Sequence, residues 1–286
     1  MSELESALRR GSSALLSMQN PDGSFPLYQR TPDQPWRPCH PLFATTSVVL
    51  AAGSLMPAPA LQRAADFIRG CRRSDRTWEF DPTYKIPADS DDTACALTVL
   101  ARHGGGLVGP ADVALLRSFW RPDGGPFQTW HQADAVWSRR DRDDAVVNCN
   151  ILLALRELGA PATDAETSSV IRLIRASEAG CRYYCSPTTI AYAARRGGLP
   201  HASLPARITA KPTSGLLPTA QWLSLVGQWD EDAVAPVLAA QSPDGSWPAE
   251  AWFTAAGKPP PVWGSAAIST ALCVEALHTA RAARGN

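Results

Sequence analysis

Segments that are apolar on every side alternate along this chain with segments that are apolar on one side only. The first periodic segment, Glu3 to Met18, repeats Leu4, Leu8, Leu15 and Leu16 at helical spacing. Ala44 to Leu55 is almost uniformly apolar or small, so the sequence predicts a helix buried on most sides, and Leu61 to Gly70 is amphipathic again. Further apolar helix candidates begin near Asp91, Asp144, Ser186, Pro218 and Ser265; amphipathic ones begin near Ala111, Glu166, Leu204 and Glu231. The apolar members start roughly 30 to 50 residues apart, a length suited to two helices and their turns, which predicts about six helical hairpins. The pair around Ser203 to Gln221 is irregular. Alternating buried and exposed helices predict an all-α fold, a single α/α toroid over 1–286 with an inner and an outer ring. An open helical solenoid shares the same periodicity.

A repeated turn favours closure. Gln19 to Phe25 reads QNPDGSF and Gln241 to Trp247 reads QSPDGSW, with a weaker third copy, RPDGGPF, at Arg121 to Phe127. Each follows an amphipathic helix, and an Asp-Gly turn reverses the chain while the aromatic residue packs back against the helix end. The matching first and last copies would bring equivalent units together. The Pro-rich stretches Thr31 to Pro41 and Lys258 to Pro261 read as insertions at the rim.

Composition narrows the partners little. The 286 residues carry 27 Lys plus Arg and 27 Asp plus Glu, so no overall positive field attracts nucleic acid. Lys85, Lys211 and Lys258 are the only lysines, so a grip on an anion falls mostly to arginine forks. Seven unevenly spaced cysteines cannot all pair, which suits reduced core residues in a cytoplasmic protein; Cys181 and Cys185 have few nearby histidines and read as packing residues before a zinc site. The N-terminus lacks a secretory apolar core, and no aliphatic stretch is long enough to span a bilayer.

The chemistry concentrates in PADSDDTACALTVL, Pro87 to Leu100. Asp91 and Asp92 fall in the first turn of an inner helix, where unpaired N–H groups and the helix dipole favour negative charge, and Asp89 lies just before it. Facing water, the three would be an N-terminal cap. Facing an apolar lumen, desolvation and mutual repulsion keep at least one carboxyl protonated, ready to donate.

DSDDTA, Asp89 to Ala94, resembles the DxDD signature of class II, protonation-initiated terpene cyclases, the group of squalene-hopene cyclase and copalyl diphosphate synthases; the QxxDGSW turns resemble that superfamily's QW repeats. The resemblance implies that Asp91 protonates an alkene or epoxide, with Asp89 and Asp92 orienting it and tuning its acidity as one coupled proton system. Thr93 would cap or join that network. It implies a linear isoprenoid substrate, a prenyl diphosphate retained in the product, no cofactor for the chemistry, and Mg2+ at most at the head group. Because a typical relative holds its substrate between two α/α domains, a single toroid would enclose it in its own lumen or complete the cavity as a homodimer.

Other residues are candidates by type and place. Trp120, Trp130, Trp137, Tyr183, Tyr184, Tyr192, Trp222 and Trp263 could present ring faces to a travelling cation, with Tyr192 and Trp222 foremost because they sit inside inner helices. Asp144 and Asn148, four apart before and on the next inner helix, could share a face that bonds the acid, holds water or binds Mg2+. His131 could assist Asp91. Lys85, Arg139, Arg140 and Arg142 are head-group candidates; no metal-ligand motif is evident. The competing readings are a lipid-binding or protein-interaction barrel, and a carbohydrate-active barrel using Asp91 with Asp144. Prenyltransferase β subunits share the fold class, but their Asp-x-Cys pair is absent.

Overall fold

The computed structural model describes residues 2–131, 143–177, 179–255 and 258–284. Its helices alternate as the pattern predicts. The outer members are α1 (Glu3–Ser17), α3 (Ala58–Gly70), α5 (Pro110–Ser118), α7 (Asp164–Ala176), α9 (Ala206–Thr209) and α11 (Glu231–Ala239). The inner members are α2 (Leu42–Ala52), α4 (Ser90–His103), α6 (Ala145–Glu157), α8 (Thr188–Arg196), α10 (Leu216–Val226) and α12 (Ala266–Arg284). The inner helices α2 and α6 bury almost every side chain, from Leu42 to Ala52 and from Ala145 to Leu155, whereas the outer α3 buries only Ala60, Ala64, Ala65 and Ile68.

Packing runs α2 to α4, α4 to α6, α6 to α8, α8 to α10, α10 to α12 and α12 back to α2, so the inner ring is closed. α9 is a single turn between Pro205 and Pro212, because proline and its predecessor disfavour helix continuation.

The repeated turns join the rings. At the first, Asp22 Oδ1 accepts from Ser24 N–H and O–H, Gln19 Nε2 donates to the Gly23 and Ala60 carbonyls, and Phe25 N–H reaches Thr45 Oγ1 on α2. At the last, Asp244 holds Ser246, Gln241 Nε2 donates to the Gly245 and Ala7 carbonyls, and Trp247 N–H reaches Thr270 Oγ1 on α12. Gln241 thereby ties the end of α11 to α1, across the seam that closes the outer ring. A further copy at Asp75-Arg76-Thr77-Trp78 escapes the motif because arginine replaces glycine. Asp75 holds Thr77, Trp78 N–H reaches Thr93 Oγ1 on α4, and Arg76 keeps the left-handed φ of +70°.

A four-stranded antiparallel sheet, ordered β2-β1-β4-β3, was not anticipated from the sequence. β1 (Leu27–Arg30) ends where the first Pro-rich stretch begins and β2 (Arg37–Cys39) lies within it; β3 (Phe253–Thr254) and β4 (Val262–Gly264) flank the last. The pairing Tyr28 to Gly264 and Arg30 to Val262 links the two ends of the chain over the ring. Prolines in both insertions hid these short strands from a periodicity of two.

Gly245 has φ +88°, and a Cβ there would lie 2.6 Å from the Arg10 carbonyl oxygen, whereas Gly124, at φ +75°, has no atom within 4 Å of that position. We therefore expect Gly245→Ala to destabilise the fold by more than about 2 kcal/mol and Gly124→Ala by about 1 kcal/mol. Denaturant titration of both variants checks the order; equal costs would show that the seam is not closed as described.

Candidate active site

The three aspartates meet at the floor of a cavity of about 560 Å3, within the roughly 300–1,000 Å3 of small-molecule sites. The extended segment before α4 positions them. Asp89 pairs with Trp78 on one side and Trp130 on the other; Ser90 N–H donates to the Thr129 carbonyl, and His131 N–H to that of Ala88. Asp89 caps α4, its Oδ1 accepting from Asp92 N–H at 2.7 Å. Asp91 is held at both oxygens: Asn150 Nδ2 donates to Oδ1 at 2.8 Å and Tyr184 O–H to Oδ2 at 2.5 Å. Asp92 Oδ1 is buried without a hydrogen-bond partner.

This geometry sets three different acidities. Burial pushes Asp91 up to about 6, with the donors Asn150 and Tyr184 holding it down and the Asp144 charge raising it. Burial and the Asp91 charge push Asp89 up to about 7. Asp92 is raised well above the ordinary range by burial and by both neighbours. A carboxyl with no donor to stabilise its anion keeps its proton, so the cluster enters the neutral range with at least one proton aboard.

Asp144, the counterpart of this cap on α6, is fully buried and accepts four backbone N–H bonds: from Val146 and Val147 in its own helix, and from Arg182 and Tyr183 in the next loop. It fastens that loop to α6, which brings Tyr184 onto Asp91 and Tyr183 into the wall. Asn148 lies on the opposite side of α6 from the acid, exchanging hydrogen bonds with the Phe127 backbone in the third repeated turn. Asn150, two residues on, is the side chain that reaches Asp91.

The walls are aromatic. Phe43, Phe80, Tyr84, Trp130, Tyr183, Phe253 and Trp263 line the cavity with Ile86 and Val147. Phe253 stands at the centre, stacked on Tyr183 with centroids 5.8 Å apart and on Phe80 at 5.3 Å, and 5.3 Å from both Phe43 and Trp263. Gln29, Thr129 and Arg182 are the described polar lining residues besides the acids.

Of the aromatics singled out from the sequence, Trp130, Tyr183 and Trp263 line this cavity and Tyr184 touches the acid. Trp120 packs edge-on against Phe127, and Trp222 donates to the Thr209 carbonyl near α9. Tyr192 sits further down the lumen, bonded to Glu275. Trp137, Arg139, Arg140 and Arg142 lie outside the described residues. Thr93 serves the Trp78 turn, the His131 ring packs on Phe119, and Lys85 is exposed and does not line the cavity. Sequence reasoning passed over Phe43, Phe80, Tyr84, Phe253, Asn150, Gln29 and Arg182. For Phe43 a signal existed: it opens an inner helix, as Asp91 does. Among the described residues no group of three or more His, Cys, Asp or Glu side chains could hold a metal ion, and no helix is long and apolar enough to cross a membrane.

No family model and no curated protein matches this chain. Among solved structures, it is similar to the type II terpene cyclase MstE from Scytonema in its apo form, with TM-score 0.71 and 17% identity over 97% of this chain and 98% of that one. A variant of MstE in complex with its product, merosterolic acid A, superposes with TM-score 0.72 at 16% identity over 97% of this chain and 96% of that one. A protein from Actinoplanes gives 0.70 at 19% identity, over 97% and 99%. The chain therefore has the fold of type II terpene cyclases, and MstE spans nearly the same length.

Asp89 is fully protonated below its ordinary range near 3.8 in folded and unfolded chains alike, so its raised value costs nothing there. Between about 3.8, where the unfolded chain ionises, and about 7, where the folded one does, stability falls as pH rises, and the loss is complete above about 7. Asparagine caps a helix as well as aspartate, so Asp89→Asn is expected to stabilise the protein at pH 8 by on the order of a few kcal/mol and to leave it unchanged at pH 4. Thermal unfolding at the two pH values measures this; a stability loss at pH 8 would mean the carboxylate is needed as an anion.

Proposed function

We propose that the protein is a protonation-initiated cyclase of a linear isoprenoid. The observation that carries the reading is the Asp91 carboxyl at the floor of an aromatic cavity, with donors on both oxygens. An alkene is a poor base, so its protonation needs an acid whose conjugate base is stabilised and a site that stabilises the cation. Asp91 gives its proton to the terminal alkene, whose π electrons form the new C–H bond and leave a tertiary carbocation. Tyr184 and Asn150 hold the carboxylate left behind. A neighbouring π bond attacks the cation and closes the ring, and the charge moves on until loss of a proton restores an alkene. Ring faces of Trp130, Tyr183, Phe253 and Trp263 stabilise the cation, and the substrate that fills the cavity displaces water that would quench it. These walls do not offer the polar groove that a glycan requires.

The head group stays intact near Arg182 and Gln29, away from the acid. A prenyl diphosphate retained in the product is the first reading. A prenylated aromatic acid is the second, favoured by two observations: Arg182 is the one basic lining residue among those described, and a variant of MstE, at 15% identity and TM-score 0.69, was solved with geranylgeranyl dihydroxybenzoate as substrate. Mg2+ would serve only the diphosphate.

The decisive experiment supplies farnesyl and geranylgeranyl diphosphate and geranylgeranyl dihydroxybenzoate in deuterated water and follows products by mass spectrometry. The expected product is cyclic, retains its head group and carries one solvent deuterium, and Asp91→Asn lowers its formation by about a thousandfold or more. Undiminished activity in that variant would remove Asp91 as the donor. Since the active form is protonated, the rate should fall about tenfold per pH unit above the Asp91 value of about 6. Tyr184→Phe removes a donor to the anion and should slow the reaction while moving that alkaline limb to higher pH. A slower rate with an unmoved limb would reduce Tyr184 to a packing residue.

A further inference from the structure

The inner helices end around a second cavity, of about 330 Å3, on the far side of the ring from the acid. Arginines from three helices line it: Arg102 at the end of α4, Arg156 at the end of α6, and Arg195 and Arg196 at the end of α8. One cation per helix end is expected, because C-terminal carbonyls carry partial negative charge. The surplus is not. Arg102 and Arg156 share a single acid, Glu157, at 3.0 and 3.1 Å. Among the described residues, neither Arg195 nor Arg196 makes an ion pair with a carboxylate. The other acid in the cavity, Glu275, is already bonded at 2.6 Å to Tyr192, over whose ring Arg196 lies.

One polar atom at this cavity is buried without a partner, Arg196 Nη2, while the Ser224 hydroxyl lies beside Glu275 and helps hold its carboxyl. A buried guanidinium nitrogen that lacks a hydrogen bond is costly. It could donate to an oxygen-rich ligand, while Arg156 and Arg195 present exposed forks from the rim. Planar guanidinium groups match phosphate geometry in pairs.

We propose that this far cavity is a binding site for a phosphate-type polyanion, either free diphosphate or the diphosphate of an ester whose chain lies outside. Arg196 binds its inner oxygens, and Arg156 and Arg195 its outer ones. The cavity does not include the acid, although the Arg196 charge reaches Asp91, and the proposal does not depend on the cyclase reading.

Calorimetric titration with inorganic diphosphate at low ionic strength tests it without turnover. One saturable site is expected, weakened about tenfold or more when Arg156 and Arg195 are both replaced by glutamine, the loss of at least one charge-assisted hydrogen bond. Both side chains are substantially exposed, so the variant should unfold at the wild-type temperature; Arg195→Glu, which reverses one charge, gives a second test. Arg182→Gln, at the other cavity, should leave this binding unchanged. Titration with geranyl diphosphate separates the two sources: a site for the free ion rejects the ester, and a site for the ester accepts it. Absence of saturable binding, or binding indifferent to the far-end variants, overturns the proposal.

Discussion

Closure of the inner ring with all its helices running the same way is the constraint from which the sites follow. Because an outer helix returns the chain each time, the N-terminal ends of α2, α4 and α6 gather at the cavity that Phe43, Asp91, Asp92 and Val147 line. Their C-terminal ends gather at the arginine-lined cavity opposite. Free N–H groups at one end and free carbonyls at the other give the ring a polarity that no single helix decides. A buried carboxylate belongs at the first end and a guanidinium at the second.

The acid itself is a compromise between opposing terms. Burial favours the neutral carboxyl; the helix end, Asn150 and Tyr184 favour the anion. Were burial alone at work, Asp91 would hold its proton too tightly to release it to carbon. Were the donors alone at work, it would be ionised at neutral pH and have nothing to give. The value of about 6 lies between, and Asp92, with one oxygen unpartnered, marks what burial does when no donor answers it. Asp144 acts on both sides of this balance: its charge raises Asp91, and its two bonds from the Arg182 and Tyr183 N–H groups bring in Tyr184, which lowers it.

Helix order, ring assignment and the acidic cap were legible in the sequence because each is local. Apolar periodicity needs one helix, and a cap needs one turn. The Asp75 turn was missed although it is also local, since Arg76 pays the left-handed strain that glycine avoids elsewhere. The wall was only half legible. Tyr192 and Trp222 lie inside inner helices, as expected, yet a helix interior faces neighbouring helices rather than the open end. The residues that do face it, Phe80, Tyr84 and Phe253, come from irregular loops and a two-residue strand, where no period exists to reveal direction. Asn150 rather than Asn148 meets the acid because the third repeated turn already occupies Asn148. That competition is tertiary and leaves no local trace.

The origin of the wall in loops has a physical reason within the proposed chemistry. The helix ends that stabilise the carboxylate after proton transfer are positive, and would repel a carbocation at the same place. A ring of helices can therefore hold the acid but is a poor container for the intermediate. The cation needs negative potential without a nucleophile, which aromatic faces supply and backbone carbonyls or carboxylates do not. Phe80, Phe253 and Trp263 stand beyond the helix ends, in the turn before α4 and in the sheet that crosses the ring. As the charge moves away from Asp91 along the isoprenoid, it moves out of the field of the helix ends and into the aromatic cage. The sheet that joins the two ends of the chain thus provides the half of the site that the toroid, by its own polarity, cannot.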